Sequence, residues 1–210
     1  MKKTFILIVA FFGITISQAQ SYNLKNFDKL EFNNINGSVD IELAKDFNVE
    51  IVGLPKNSEL LTVKLLSESK LSITLKKGLS WEAMKDIRLI IKISMPEISK
   101  LSNNSNANIS INNFTGRYFG VENNGNGNVE IEGNVVDLLD IENNGNGDCN
   151  AKQIEAKEVN ITKVGNGDVI IKTNANFKTK LAGNGDIINY GNGKAILLKQ
   201  SGNGKVVYRN

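Results

Sequence analysis

The stretch VGNGDVIIK, residues 164–172, decides the fold because its Gly-Asn-Gly core recurs along the chain. With the first glycine as the anchor, the copies start at residues 125, 145, 165, 183 and 202, at steps of 20, 20, 18 and 19 residues. A degenerate copy at Ser105 extends the series backwards by another step of 20 residues. Self-similarity at a fixed period of this size is typical of stacked structural repeats.

Apolar residues occupy fixed positions on both sides of each turn, and the residues between them are mostly polar. This alternation with a period of two, rich in β-branched residues, predicts two short strands hinged at every Gly-Asn-Gly turn. Four and six residues after the anchor stand Ile109, Val129, Cys149, Val169, Ile187 and Val206, and Ile111, Ile131, Ala151, Ile171, Asn189 and Tyr208. Four and six residues before it stand Leu101, Val121, Ile141, Ile161, Thr179 and Leu198, and Ser99, Phe119, Leu139, Val159, Phe177 and Ile196.

We therefore predict an all-β fold, a parallel β-helix (β-solenoid) in which each repeat forms one coil and equal positions stack at ~4.8 Å. Gly and Asn suit the corner because both tolerate the positive φ that tight corners require. A phosphate-binding loop is disfavoured, because it needs a strand-to-helix junction and a lysine. The central asparagines of the turns are expected to form a hydrogen-bonded amide ladder along the stack: Asn106, Asn126, Asn146, Asn166, Asn184 and Asn203.

The chain divides into a signal peptide, residues 1–19, and a single β-solenoid domain, residues 20–210. Lys2 and Lys3 precede an apolar stretch at residues 5–16, and Ala19 precedes the predicted cleavage site. Within the domain, residues 20–98 are expected to form irregular strands that cap one end, and residues 99–210 form the regular coils. The cap contains an earlier copy of the repeat, with Ile35 at the anchor and Val39 and Ile41 in the apolar columns.

Another part of the cap, residues 87–95, alternates strictly through Ile87, Leu89, Ile91, Ile93 and Met95 and so predicts a strand. At the opposite end of the solenoid, only Lys205 and Arg209 are expected to guard the edge of the last coil.

Composition limits the partners of the mature chain. Removing residues 1–19 leaves 23 basic and 22 acidic residues, a formal charge of +1. Neither nucleic acid nor an anionic membrane surface is indicated by so balanced a chain. The chain has one cysteine, which excludes an internal disulfide, and it has no histidine. No segment after the signal peptide is apolar enough to be a membrane helix. We expect export to the periplasm, the outer surface or the medium.

Three carboxylates are the candidate metal ligands. Asp148, Asp168 and Asp186 stand three residues after their anchors, in a column with Asn108, Asn128 and Lys205. Either each carboxylate accepts a backbone N–H of its own turn, or a divalent cation, calcium, lies between the coils. The first alternative is favoured, because Lys205 and the asparagines interrupt the acidic run. No organic cofactor is predicted.

No catalytic residue is predicted either. Cys149 takes the place of a valine in an inward column, and no histidine exists to activate it, so an inert buried thiol is favoured. Glu130 and Glu132 flank the inward Ile131 and share an outward face. A solvated surface is favoured for them over a glycosidase pair of carboxylates.

A signal peptide, short N-terminal strands, the lead-in MPEISKLS at residues 95–102 and a run of G-x-G-D turns occur together in this chain. In this combination the chain resembles the putative auto-transporter adhesin family with the head GIN domain, a domain of unknown function in exported proteins of Bacteroidetes-type bacteria. The resemblance covers nearly all of the mature chain. This chain departs from the usual Gly-Ser-Gly-Asp turn, with Asn for Ser throughout and Asn128, Lys194 or Lys205 in place of Asp. The resemblance implies a right-handed β-helix and a cell-envelope location.

The leading functional hypothesis is a non-enzymatic, adhesion-type binding module. Its partner would be a glycan, another envelope protein or a neighbouring copy of the chain, since a rigid array of identical side chains suits a repetitive partner. One alternative is an enzyme, a lyase or glycosidase, that acts on a polysaccharide. The other is a structural spacer.

Overall fold

The structure, a computed structural model, describes residues 19–53, 60–67, 69–76, 78 and 88–209. The predicted signal peptide, apart from Ala19, and Ile87 lie outside the described residues. Strands dominate the described part, which contains no α-helix, and the all-β prediction is confirmed. The strands are β1 (Gln20–Tyr22), β2 (Lys29–Asn33), β3 (Gly37–Leu43), β4 (Asn48–Val52), β5 (Leu61–Leu66), β6 (Lys70–Leu75), β7 (Leu89–Met95), β8 (Lys100–Asn104), β9 (Asn108–Phe114), β10 (Tyr118–Asn123), β11 (Val129–Gly133), β12 (Val136–Asn143), β13 (Cys149–Gln153), β14 (Ala156–Gly165), β15 (Val169–Ile171), β16 (Phe177–Gly183), β17 (Ile187–Asn189), β18 (Ala195–Ser201) and β19 (Val206–Tyr208).

The strands form two mixed sheets, and neither sheet closes on itself. The first sheet has the order β1-β4-β7-β3-β9-β11-β13-β15-β17-β19, and the second has the order β18-β16-β14-β12-β10-β8-β2-β6-β5. From β8 onwards the chain alternates between the sheets, because the strand before each turn joins the second sheet and the strand after it joins the first. Every pairing in this part is parallel.

The pairing register places equal positions of successive repeats side by side. Val129 pairs with Ile109 in the repeat before it and with Cys149 in the repeat after it, and Cys149 pairs with Val169. All four side chains are buried. The predicted columns of touching, inward-pointing residues are therefore confirmed at the centre of the repeats.

The N-terminal strands continue both sheets instead of only covering their ends. Strand β2 pairs in parallel with β8 on one side and β6 on the other, and β3 pairs with β9 and β7 in the same way. The predicted early copy of the repeat is confirmed, because Val39 lies beside Ile109 and Ile41 beside Ile111. Within the described residues, antiparallel pairing appears only beyond these strands, where β4 and β1 extend the first sheet and β5 extends the second.

The core lies between the two sheets and forms one contiguous apolar cluster. Aromatic rings contribute to this cluster: Phe32, Phe114, Phe119 and Phe177 are all buried. The rings of Phe114 and Phe119 stack with their centroids 5.0 Å apart. In the repeat that holds Cys149 and Ala151, the small side chain of Cys149 lies between the larger Val129 and Val169 of the adjoining repeats.

The prediction for the last repeat was wrong on the second sheet. Ile196 and Leu198 were expected to point inwards, yet they are 48% and 57% exposed. The register between β16 and β18 shifts after Thr179, which faces Leu197, while Lys180 faces Lys199. Leu198 is therefore an extra residue, and such a bulge changes the face towards which the side chains point.

The inward position of Tyr208 was also wrong. Its side chain is 41% exposed, and its hydroxyl accepts a hydrogen bond from the backbone N–H of Ala195.

Candidate functional site

Glycine is needed at the turns mainly because successive turns approach each other closely. A Cβ on Gly145 would lie 1.9 Å from the carbonyl oxygen of Gly125, and one on Gly147 would lie 2.0 Å from that of Gly127. Positive φ, the reason predicted from sequence, holds only for the later anchors, Gly165 among them with φ 108°, and for none of the central asparagines. The turns therefore stack backbone on backbone, which leaves no room for a side chain at either glycine.

The central asparagines form the predicted ladder along this corner. Each Nδ2 donates to the Oδ1 of the asparagine one repeat earlier, and all six side chains are exposed. The five hydrogen bonds, from Asn126 to Asn106, Asn146 to Asn126, Asn166 to Asn146, Asn184 to Asn166 and Asn203 to Asn184, measure 2.8, 2.8, 2.7, 2.9 and 3.0 Å. The amides are thus held in one orientation along the whole stack.

A second ladder, not predicted from the sequence, runs beside the first at the ends of the second-sheet strands. It joins Asn33, Asn104, Asn124 and Asn144 through hydrogen bonds of 3.0, 2.8 and 3.0 Å. A shallow cavity of about 300 Å³ lies between the two ladders and is lined by residues of both. We name the two ladders together, Asn106 to Asn203 and Asn33 to Asn144, the asparagine corner.

Carboxylates border the second ladder. Glu122 and Glu142 each accept a hydrogen bond of 2.9 Å from the asparagine two residues later, Asn124 and Asn144. The hydrogen bond from Asn124, helped by Lys100 and Ser102, lowers the pKa of Glu122 below its ordinary value. This edge of the asparagine corner therefore presents ionised oxygen acceptors beside the amides.

A third asparagine column is buried beneath the corner. Asn103, Asn123 and Asn143 donate Nδ2 to the turn carbonyls of Ala107, Gly127 and Gly147, at 3.3, 3.1 and 3.0 Å. These amides satisfy carbonyl groups that would otherwise be buried without a donor. The sequence contains the relevant signal, since paired asparagines precede the turns at residues 103–104, 123–124 and 143–144. One member of each pair points inwards and the other outwards.

Lys163 takes the fourth place in the buried column. Its Nζ donates to the carbonyl of Gly165 at 2.9 Å. Burial lowers the pKa of Lys163, while the negative charges of Asp168, Asp186 and Asp148 oppose that shift. The acidic column therefore lies over a buried lysine side chain.

The structure stacks the three predicted metal candidates, but each of them is engaged with the backbone. Asp148 Oδ1 accepts from the N–H of Asp168 at 2.8 Å, Asp168 Oδ1 from Asp186 at 2.7 Å, and Asp186 Oδ1 from Lys205 at 3.0 Å. We predicted that each carboxylate accepts from its own turn, and this detail was wrong. Each donor belongs to the next repeat. Within the described ranges, no group of three or more His, Cys, Asp or Glu side chains is arranged to hold a metal ion.

The cysteine lies where the column pattern predicts. Cys149 is fully buried, and burial, with a smaller contribution from Asp148, raises the pKa of its thiol to about 12. A thiol in this environment stays protonated at neutral pH, so it lacks the thiolate that nucleophilic chemistry requires.

The two remaining acidic candidates, Glu130 and Glu132, are paired with neighbours on the outside of the sheets, and so is Asp137. Glu130 accepts from Asn150 at 3.3 Å and Glu132 from Gln153 at 2.6 Å, each across one repeat. Asp137 lies 2.8 Å from Arg117 Nε and 2.7 Å from Lys157 Nζ. These contacts join each acidic side chain to a neighbouring repeat.

These features define a class of protein: an all-β protein of stacked parallel repeats, in which turns built from glycine form a corner that presents rows of asparagine amides. A family model described as "Putative auto-transporter adhesin, head GIN domain" matches residues 26–193. The chain belongs to this family, and the resemblance drawn from the turns is confirmed.

Solved structures support the fold. An adhesin candidate from Bacteroides fragilis NCTC 9343 superimposes with a TM-score of 0.74 at 19% identity, covering 93% of this chain and 98% of its own. A protein from Parabacteroides distasonis ATCC 8503, described as a putative lipid binding protein, gives a TM-score of 0.53 at 14% identity, covering 92% and 97%. No curated protein matches the sequence. Among the described residues, no helix has the length and apolarity needed to cross a membrane.

Proposed function

We propose that this protein is an exported, non-enzymatic, adhesion-type module that binds a repetitive glycan through the asparagine corner. The carrying observation is the pair of exposed amide ladders, held in register by hydrogen bonds of 2.7 to 3.0 Å. An amide has two N–H donors and an oxygen with two lone pairs, and the ladder uses one of each. In the ladder of central asparagines, the remaining donor and acceptor of Asn126, Asn146, Asn166 and Asn184 project to solvent at intervals of ~4.8 Å. In the second ladder, Asn124 and Asn144 use their other N–H on Glu122 and Glu142.

Rigidity makes this surface suited to binding. The corner side chains are ordered before any ligand arrives, so little side-chain entropy is lost on association. A glycan offers hydroxyl groups at regular intervals, and hydroxyls can both donate to and accept from amides. The family description and the Bacteroides fragilis relative, which is described as a putative adhesin, agree with this role.

The proposal includes the finer architecture and location. We infer that the two parallel strand stacks are successive coils of a right-handed β-solenoid, with the Gly-Asn-Gly corner on one edge. Residues 1–19 serve as the signal peptide, and the mature chain acts in the periplasm, on the outer surface or in the medium.

A glycan panel tests the function. Purified mature protein is passed over immobilised neutral glycans with and without a chelator, beside a corner variant that combines Asn126→Ser and Asn146→Ser. A matched control combines Asn112→Ser and Asn150→Ser, which lie on the first sheet away from the corner. We expect saturable binding that weakens roughly tenfold in the corner variant, about 1.4 kcal/mol, and stays within twofold in the control.

Two results would contradict this function. Release of new reducing ends or unsaturated sugars would indicate the polysaccharide-acting enzyme. A protein that binds no glycan and associates with itself would indicate the spacer. Melting curves of all variants show whether lost binding reflects lost folding.

A further inference from the structure

A second concave surface lies on the outer face of the second sheet, next to the asparagine corner. It is an open groove of about 410 Å³ that crosses strands β10, β12, β14, β16 and β18. Its lining includes Tyr118, Glu122, Asp140, Asn160, Lys178 and Lys180. Glu122 and Glu142 also accept hydrogen bonds from the corner asparagines, so the groove and the corner share an edge.

Tyr118 forms an aromatic platform at one side of this groove. Its phenol lies over Gly120, where an added Cβ would come within 3.0 Å of the Tyr118 hydroxyl. Partial burial and the nearby Asp140 carboxylate raise the pKa of Tyr118 above its ordinary value. The side chain nevertheless remains 45% exposed. Gly120 therefore lets the ring lie along the sheet while one surface stays open to a ligand.

Charge changes sign across the groove from repeat to repeat. Asp140 pairs in register with Asn160, and Asn160 pairs with Lys178. In the neighbouring row, Glu142, Thr162 and Lys180 follow the same order. A neutral strip of amide and hydroxyl groups thus separates the carboxylates from the ammonium groups by two strand spacings, ~10 Å.

The two lysines are available to a ligand. Both are exposed, and neither makes an ion pair with another residue in the described part of the chain. Lys100, at the opposite side of the groove, is instead paired with Glu122 at 3.2 Å. The groove therefore offers unpaired positive charge at one side only.

We propose that this groove binds an acidic polysaccharide, with the carboxylate of a uronic-acid residue on Lys178 and Lys180. The hydroxyls of the polysaccharide donate to the carboxylates of Asp140 and Glu142 and exchange hydrogen bonds with Asn160 and Thr162. One of its sugar rings packs on Tyr118. The combination of carboxylate acceptors and lysine donors in one groove fits a polymer that carries both hydroxyls and acidic groups. This site rests on the proposed glycan-binding function.

The test compares a uronate polymer, polygalacturonate, with its carboxyl-reduced form, which has the same backbone without the charge. The groove variant combines Lys178→Gln with Lys180→Gln. The control combines Lys152→Gln with Lys172→Gln, which removes the same charge from two exposed lysines that do not line this groove. We expect the wild-type chain to bind polygalacturonate at least tenfold more tightly than the reduced polymer. The groove variant should lose that preference and the control should keep it.

Further results separate the failures. Equal binding of both polymers, unaffected by the groove variant, overturns the acidic site and leaves the glycan-binding function standing. No binding to any polymer of the panel overturns both. Polyglutamate bound as tightly as polygalacturonate would show that the groove recognises charge without sugar, which also overturns the site. Tyr118→Ala is expected to weaken binding of polygalacturonate and of the reduced polymer alike, because the ring contacts the sugar and not the carboxylate.

Discussion

One interior column runs through two regions of the molecule and changes its chemistry between them. In the N-terminal region it holds Ile73 and Phe32, and in the repeats it continues in register as Asn103, Asn123 and Asn143. All five side chains are buried. The same place in the fold is thus apolar in the N-terminal region and an amide in the first three repeats, before Lys163 and Leu181 follow.

The turns explain this difference. Gly-Asn-Gly turns direct carbonyl groups towards the interior, and the amides of Asn123 and Asn143 bind them at 3.1 and 3.0 Å. The N-terminal turn that follows Phe32 instead inserts the side chain of Ile35, which is fully buried. An apolar turn can be covered by an apolar column, whereas the bare-backbone turns at Gly125 and Gly145 receive hydrogen-bond donors from it. The later turn at Gly183 departs from this pattern, because the column there holds the buried Leu181.

Chain order also distinguishes the regions. In the repeats, each strand pairs with the strand about 20 residues away, as Val129 does with Cys149. In the N-terminal region, Phe32 pairs with Ile73 and Asn103, which are far apart in sequence. Position in the stack is therefore set by the side chains that fill the columns and not by the order of the chain.

The largest effect on stability is expected at the turn glycines. They test whether close backbone-to-backbone approach is required for stacking in both regions. Gly145→Ala would place a Cβ 1.9 Å from the carbonyl oxygen of Gly125, and Gly37→Ala would place one 1.9 Å from that of Leu89. Because backbone atoms cannot move aside, we expect each variant to lose roughly 3 kcal/mol of unfolding free energy. Urea denaturation measures the loss. Asn146→Ala, in the same turn but exposed, should change stability by less than about 0.5 kcal/mol.

If Gly145→Ala lost much unfolding free energy and Gly37→Ala lost none, the two regions would not share this requirement. The N-terminal strands would then tolerate a backbone shift that the repeats do not.

A smaller effect is expected for the buried amides. Asn123→Ala removes the donor to the Gly127 carbonyl and the acceptor for Asn103, which donates to it at 3.0 Å. Leaving these groups unsatisfied should cost about 1–3 kcal/mol. Asn124→Ala, one residue later in the exposed ladder, should cost only a few tenths of a kcal/mol because water replaces its partners. Equal losses for the two variants would refute the distinction between the buried and exposed columns.

The smallest effect is expected in the acidic column. Asp168→Asn keeps an oxygen that can accept from the N–H of Asp186, as Asn128 already accepts from Asp148 at 2.9 Å. We expect the unfolding free energy to change by less than about 0.5 kcal/mol. Melting temperatures measured with calcium and with a chelator should agree for both the wild type and the variant. A calcium-dependent rise in the wild type that disappears in Asp168→Asn would instead establish a metal site.

The sequence was most informative where a residue's neighbour is its own copy one repeat away. The buried columns were predicted by the alternation around Val129 and Val169, and the exposed ladder by the spacing of Asn126 and Asn146. Both predictions succeeded because parallel stacking places equal positions of successive repeats in contact. The same logic found Val39 and Ile41 in the N-terminal region. The residues that line the groove on the second sheet carried no repeat signal, since the side chains at equal positions differ in chemistry from repeat to repeat.

The sequence by itself determined the all-β class and the repeat register, because period-two alternation and a constant turn have few other physical solutions. Its motifs also carried the resemblance to the family. Only the tertiary structure decided that β2 lies between β6 and β8, that paired asparagines divide between interior and surface, and that Ile196 and Leu198 face outwards. It also brought Tyr118, Asp140 and Lys178 onto one face. These outcomes depend on backbone approach, on the satisfaction of buried carbonyls and on pairing between distant segments, all of which arise when the chain is packed.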